Sequence, residues 1–187
     1  MKSSVLIILG IVIGFVLLIA LIALILGIKY SNNFKRLEIK TNEAFSGVDV
    51  ALQKRYSVLT KSFNVASQYA KFEKETILRA IQLRSGAKTI DEMNNANREM
   101  DNATRYFFAL AENYPQLHAS AQFVELQRQI SDTEEHLQAA RRSYNASVRD
   151  YNTAISVFPA SMFAGGRLPK RFFEAENRND VQFPNFS

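Results

Sequence analysis

The sequence predicts an all-α protein: a single N-terminal transmembrane helix followed by an antiparallel bundle of three to four long helices. Three observations predict it. Every residue from Val5 to Ile28 is apolar or Gly. No Pro occurs before Pro115, so nothing of that kind breaks a helix in the first 114 residues. Beyond the apolar block, hydrophobic residues recur in steps of three and four, without the period-two alternation that strands require.

The apolar block holds 21 hydrophobic residues in 24 positions. As a helix it rises about 36 Å, enough for a hydrocarbon core of about 30 Å. A signal peptide has a shorter apolar region and a small-residue cleavage site. Leu26-Gly27-Ile28-Lys29 offers no such site. Residues 5–28 are therefore expected to form an uncleaved anchor behind a short tail at 1–4. Lys2 precedes the block, whereas Lys29, Lys35, Arg36 and Lys40 follow it. That bias in flanking cations predicts an outside N-terminus and a cytoplasmic bundle. The same four cations are placed to rest on anionic headgroups.

The bundle is expected over residues 29–159. Its first seam runs through Phe34, Leu37, Thr41, Phe45, Val48, Leu52, Leu59, Phe63, Ala66 and Ala70, and Ile77 and Ile81 carry it towards Arg84. This predicts a helix over 30–85, stopped by Ser85-Gly86. So long a helix either bends near residues 47–60 into two packed pieces or projects as a stalk continuous with the membrane span. Thr89-Ile90-Asp91-Glu92 reads as a capping box opening a second helix over 89–113. Its seam is Ile90, Met93, Met100, Phe107 and Tyr114, interrupted by the polar Asn97 and Thr104. Tyr114-Pro115 ends it.

Ser120 is the expected N-cap of a third helix over 120–157. Phe123, Leu126, Ile130, Thr133, Leu137, Ala140 and Tyr144 recur with coiled-coil-like spacing, and Val148, Tyr151, Ile155 and Phe158 continue the seam. Pro159 closes it. Residues 160–187 form an aromatic and basic tail, with a turn from Gly165-Gly166 to Pro169. Phe172-Phe173 and Phe183 are expected to dock on the bundle.

The search for chemistry returns little. The chain has no Cys, which excludes disulfides, cysteine nucleophiles and Cys-ligated metal sites. No G-x-S-x-G, H-E-x-x-H or phosphate-binding glycine loop occurs. His118 and His136 lie in different elements. No catalytic residue, cofactor or metal site is expected. A pI near 9.5 raises nucleic acid as a partner, but cations and carboxylates alternate along the helices and several cations sit beside the membrane segment. Nucleic acid is not an expected partner. Asp49 and Arg55 flank the apolar face around Leu52, as a structural pair or as part of a ligand site.

Tyr144-Asn145 recurs seven residues on as Tyr151-Asn152, two helical turns along one face. With Tyr114-Pro115-Gln116-Leu117, Phe123, Leu126-Gln127, Thr133-Glu134 and Phe158-Pro159, the pattern resembles the LemA family. Ala44-Phe45-Ser46-Gly47-Val48-Asp49-Val50, Leu52, Lys54-Arg55-Tyr56, Tyr69-Ala70, Glu73, Arg84 and the closing Val181-x-Phe183 agree with it. The likeness covers roughly residues 31–183. Ser31-Asn32 and Thr60-Lys61 depart from the family, which commonly has Tyr-Asn at the first place and a proline near the second. Without that proline the first helix is expected to be straighter.

The resemblance implies one N-terminal membrane helix, a bacterial-type helical bundle and no established catalytic activity. It makes Asp49, Arg55, Glu73, Arg84, Glu134, Tyr144, Asn145, Tyr151 and Asn152 bundle-specifying or interface residues. The expected function is a non-enzymatic, membrane-anchored scaffold that forms homo-oligomers or binds another envelope protein or anionic lipid, with an effect on membrane organisation. The alternative is a membrane-tethered ligand-binding or sensory module, with a polar pocket between helices around Asp49 and Arg55.

Overall fold

The structure is a computed structural model that describes residues 2–71 and 89–173, with side chains from Ile7 onward. Among the described residues there is no strand. The described residues form four α-helices, α1 (Lys2–Ala66), α2 (Ile90–Asn113), α3 (Pro115–His118) and α4 (Ala121–Ser156), and a 3-10 turn covers Ala160–Phe163.

α1 is continuous with the apolar block, as the stalk would be, yet Val48, Leu52, Leu59 and Phe63 pack in a core instead of projecting. It runs unbroken from the apolar block through residues 47–60. It also stops earlier than its periodicity predicts, at Ala66. The amides of Gln68 and Tyr69 bond carbonyls three residues back, and the Ser67 hydroxyl donates to Asn64 O at 2.8 Å. Short polar side chains compete for backbone groups in this way and end a helix without Gly or Pro. The remainder of the expected helix, with Ile77, Ile81 and Gly86, lies outside the described residues.

The starts of α2 and α4 are as expected. Thr89 Oγ1 accepts from Glu92 N, and the Glu92 carboxylate accepts from Thr89 N, each at 3.3 Å. Ser120 Oγ accepts from Phe123 N at 3.1 Å. The single turn α3 is a feature the periodicity did not show. Pro115 takes its first position, where a missing N–H costs nothing, and Leu117 fills the core from it.

The chain divides into two units, Met1–Thr41 with Arg149–Lys170 and Asn42–Val148 with Arg171–Ser187. In the larger, Val48, Leu52, Leu59 and Phe63 of α1 share one core with Met93, Met100 and Phe107 of α2 and Phe123, Ile130, Leu137 and Tyr144 of α4. Phe63 meets Phe107 edge-on at 5.9 Å, Phe107 meets Phe123 at 5.6 Å, and Phe45 meets Tyr144 at 6.1 Å. These pairings make α4 antiparallel to both α1 and α2. Phe173 is buried in the same core, so the tail docks at that residue, while Phe172 stays exposed and Phe183 lies outside the described residues.

The smaller unit has its own core of Phe34, Tyr151 and Ile155, with Tyr30, Leu37 and Phe163 packed on it. Phe158, expected in the α4 seam, is 75% exposed. α4 ends at Ser156, so the helical phase that would have turned Phe158 inward no longer applies.

Candidate functional site

In the larger unit, α1 carries Arg55 on the face it turns towards α2 and α4. Its side chain is 4% exposed, and Nη2 lies 2.6 Å from Asp101 Oδ1 and 3.0 Å from Glu134 Oε2. Nη1 donates to Asn97 Oδ1 at 2.8 Å, and Nη2 reaches Thr104 Oγ1 at 3.5 Å. Asn97 in turn donates Nδ2 to Asp101 Oδ2 at 3.1 Å. Asn97, Asp101 and Thr104 recur at four and three residues, the spacing that puts them on one face of α2. Arg55 Nε is buried with no hydrogen-bond partner among the described residues.

A guanidinium this deep survives only when paired, since an unpaired buried charge costs several kcal/mol, on the order of 3–5 when one partner is removed. Here one cation faces two carboxylates, and the excess negative charge is relieved by exposure: Asp101 and Glu134 side chains are 15% and 28% exposed. They open onto a groove of about 420 Å³ lined also by Thr104, Phe108 and Ile130. The groove is polar where the carboxylates emerge and apolar at Phe108 and Ile130. Both carboxylates pair with the guanidinium through one oxygen each. Among the described residues no group of His, Cys, Asp or Glu is placed to hold a metal ion. The arrangement fits recognition and helix registration better than bond-making.

Asp49 does not belong to this site. It accepts from Gln53 Nε2 at 2.9 Å on its own helix, so the expected Asp49–Arg55 pair is replaced by Asp101 and Glu134. Six helical residues turn the chain through about 600°, which leaves Asp49 about 120° round α1 from Arg55. Glu73 and Arg84 lie outside the described residues. Asn97, Asp101 and Thr104 were not singled out as site residues. The signal for two of them was present: polar residues seven apart in an apolar seam need a buried partner.

The Tyr-Asn repeat serves the tail. In the larger unit Tyr144 Oη donates to Arg171 O at 3.0 Å, and burial raises the Tyr144 phenol above its ordinary pKa. Asn145 Nδ2 donates to Phe173 O at 3.0 Å while its Oδ1 accepts from Phe173 N at 2.8 Å. Arg141 lies over the Phe173 ring at 4.9 Å. In the smaller unit Asn152 makes the same two-ended bond to Lys170, at 2.9 and 2.8 Å. Tyr151 is buried there beneath Lys170 Nζ, 5.5 Å from its ring. Its phenol is raised chiefly by burial, then by the charge of Glu38, with Arg167 opposing.

The four cations that follow the apolar block are all exposed. Lys35 pairs with Glu38 at 3.3 Å and Lys40 with Asp150 at 3.0 Å. Arg36 donates to Asn33 Oδ1 at 3.2 Å.

The profile of the LemA family matches residues 44–186, a span that contains the Arg55 groove and both Tyr-Asn pairs. The chain is also similar to a protein named Protein LemA from Metamycoplasma hominis, 28% identical over 134 residues. That match covers 68% of this chain and 60% of the relative's length.

Proposed function

Starting from a chain that belongs to the LemA family, we propose a non-enzymatic, membrane-anchored helical scaffold that associates with copies of itself at the membrane. The observation that carries this reading is the surface of α1. Every residue from Ile7 to Ile25 is exposed although nearly all are large and apolar, while further along the same helix Phe34, Val48, Leu52 and Leu59 are buried. An exposed apolar surface of that length needs a bilayer around it. The flanking cations support an outside N-terminus and a cytoplasmic bundle.

Two measurements test it. Compartment-sensitive reporters fused at Ser187 read out the cytoplasmic side, and an external signal overturns the orientation. Crosslinking in the membrane, followed by light scattering of the detergent-solubilised full chain, reads out self-association. A strictly monomeric chain with no adducts overturns the scaffold.

The Arg55 groove favours a second reading, a tethered ligand-binding or sensory module. It predicts saturable thermal stabilisation by a small polar ligand, lost in Glu134→Gln. A groove that binds nothing in such a screen removes this reading and leaves the scaffold intact.

A further inference from the structure

We infer that the segment Val157–Leu168 is a second membrane-contacting element, an apolar loop that enters the headgroup region of an anionic bilayer beside α1. The inference rests on the proposed anchoring of α1 and extends it to a part of the chain more than 120 residues beyond the apolar block.

Its first support is an exposure that water does not favour. Val157, Phe158, Met162 and Leu168 are 53%, 75%, 72% and 79% exposed within twelve residues. Single exposed apolar residues are ordinary on a soluble surface, but a contiguous group marks an interaction site. The loop is nonetheless built rather than loose. Ser161 N bonds Val157 O at 2.9 Å, Met162 N bonds Pro159 O at 3.2 Å, and Arg167 N bonds Ala164 O at 3.2 Å. Gly165 and Gly166 take φ of 57° and 74°, a conformation that lets the chain reverse at a place where other residues are strained.

The second support is position. The Phe163 ring lies so close to Gly27 that a Cβ there would sit 3.4 Å from it. Phe163 also stacks on Tyr30 at 5.5 Å. Gly27 and Tyr30 bracket Ile28 and Lys29, where the apolar block ends. The contact therefore pins the loop at the level where α1 leaves the hydrocarbon, and Tyr there suits the interfacial aromatic belt.

The third support is charge. Residues 29–41 and 149–170 of this unit carry seven Lys and Arg against two Asp and Glu, a net +5 equal to the formal net charge of the whole chain. The charged ends of Arg167 and Lys170 lie over the Phe34 and Tyr151 rings, 5.1 and 5.5 Å from the ring centres. Apolar side chains ringed by cations at the end of a membrane helix match an anionic lipid surface.

The chain has no Cys, so single spin labels can be placed without other changes. Phe158→Cys, Met162→Cys and Leu168→Cys are compared with Leu17→Cys in the apolar block and Val124→Cys, 61% exposed on α4, all in the full chain in nanodiscs containing anionic lipid. The expected result is an oxygen-to-nickel collision ratio at the three loop sites above that at Val124→Cys and below that at Leu17→Cys, which lies near the middle of the apolar block. Loop labels that match Val124→Cys while Leu17→Cys reports lipid overturn the loop inference and leave the anchor standing. A Leu17→Cys label that also matches Val124→Cys overturns the anchor, and the loop with it.

Discussion

Asn145 grips Phe173 by both ends of its side-chain amide, donating to the carbonyl at 3.0 Å and accepting from the backbone N–H at 2.8 Å. The tail residue is thus held as a strand would hold it, by a side chain standing in for a neighbouring backbone. Phe173 then places its ring in the core and under Arg141.

Removing that grip frees the tail before it loosens the bundle. Each neutral hydrogen bond contributes about 0.5–1.5 kcal/mol net, so Asn145→Ala is expected to cost about 1–3 kcal/mol for the pair. Asn145→Asp is expected to be no better, because its second oxygen would face Phe173 O where a donor is needed. Faster tryptic cleavage after Arg171 and faster exchange of the Phe173 amide are the readouts. Unchanged cleavage in Asn145→Ala would mean that ring burial alone docks the tail.

Tyr144 adds a pH dependence to the same clasp. Burial raises its phenol above the ordinary value near 10, so the folded state holds the proton more tightly than the unfolded state does. The stability linked to that proton is intact below about pH 10 and is lost as pH rises through the folded value. Urea denaturation of the full chain in detergent between about pH 8 and 11 is expected to show this decline. Tyr144→Phe should flatten part of it, since Tyr151 is raised as well, and should cost about 0.5–1.5 kcal/mol at neutral pH for the lost bond to Arg171 O.

On the solvent side of α4, Glu125 behaves oppositely. Hydrogen bonds from Arg128, and then from Gln129, lower its pKa from 4.5 to about 2. Its favourable interactions are complete above 4.5 and are lost as pH falls towards about 2. A carboxyl titration by NMR is expected to give a midpoint near the lower figure. Arg128→Ala should move it up further than Gln129→Ala. A midpoint at the ordinary carboxylate value in the unmodified chain would mean that Arg128 is not held there in solution.

The parts of this fold legible in the sequence are those determined within a few residues. The capping box at Thr89–Glu92 needs only four positions, and Ser120 caps α4 by bonding three residues ahead. Met93, Met100 and Phe107 show their burial by spacing alone. The end of α1 is different, because the Ser67 hydroxyl competes for the Asn64 carbonyl there and no Gly or Pro announces it. Partners distant in sequence are not written in a local pattern either. Arg55 lies 42 residues from Asn97, and periodicity states which face Arg55 occupies without saying which helix fills the other side. The Tyr-Asn repeat was visible as a repeat, but its partner was a tail with no periodicity of its own. Phe158 looked buried because the heptad was carried past Ser156, where the helix had already ended.

The strongest test of the Arg55 network separates the charge from the space it fills. Arg55→Met keeps most of the volume but leaves Asp101 and Glu134 without the cation that now lies 2.6 and 3.0 Å away. The expected cost is about 3–5 kcal/mol, read from urea denaturation of the full chain in detergent. Arg55→Lys should recover only part of it. An ammonium lacks the planar fork that presents Nη1 to Asn97 and Nη2 to the carboxylates. Replacing all three charges, as Arg55→Met with Asp101→Leu and Glu134→Met, should restore stability to near that of the unmodified chain, because well-packed apolar groups often match a buried ion triad. The same triple variant removes the polar wall of the groove. If it folds stably and still self-associates, the charges serve recognition at the groove rather than assembly. If it folds stably but no longer self-associates, the triad registers the helices for assembly, and the scaffold reading gains a structural cause.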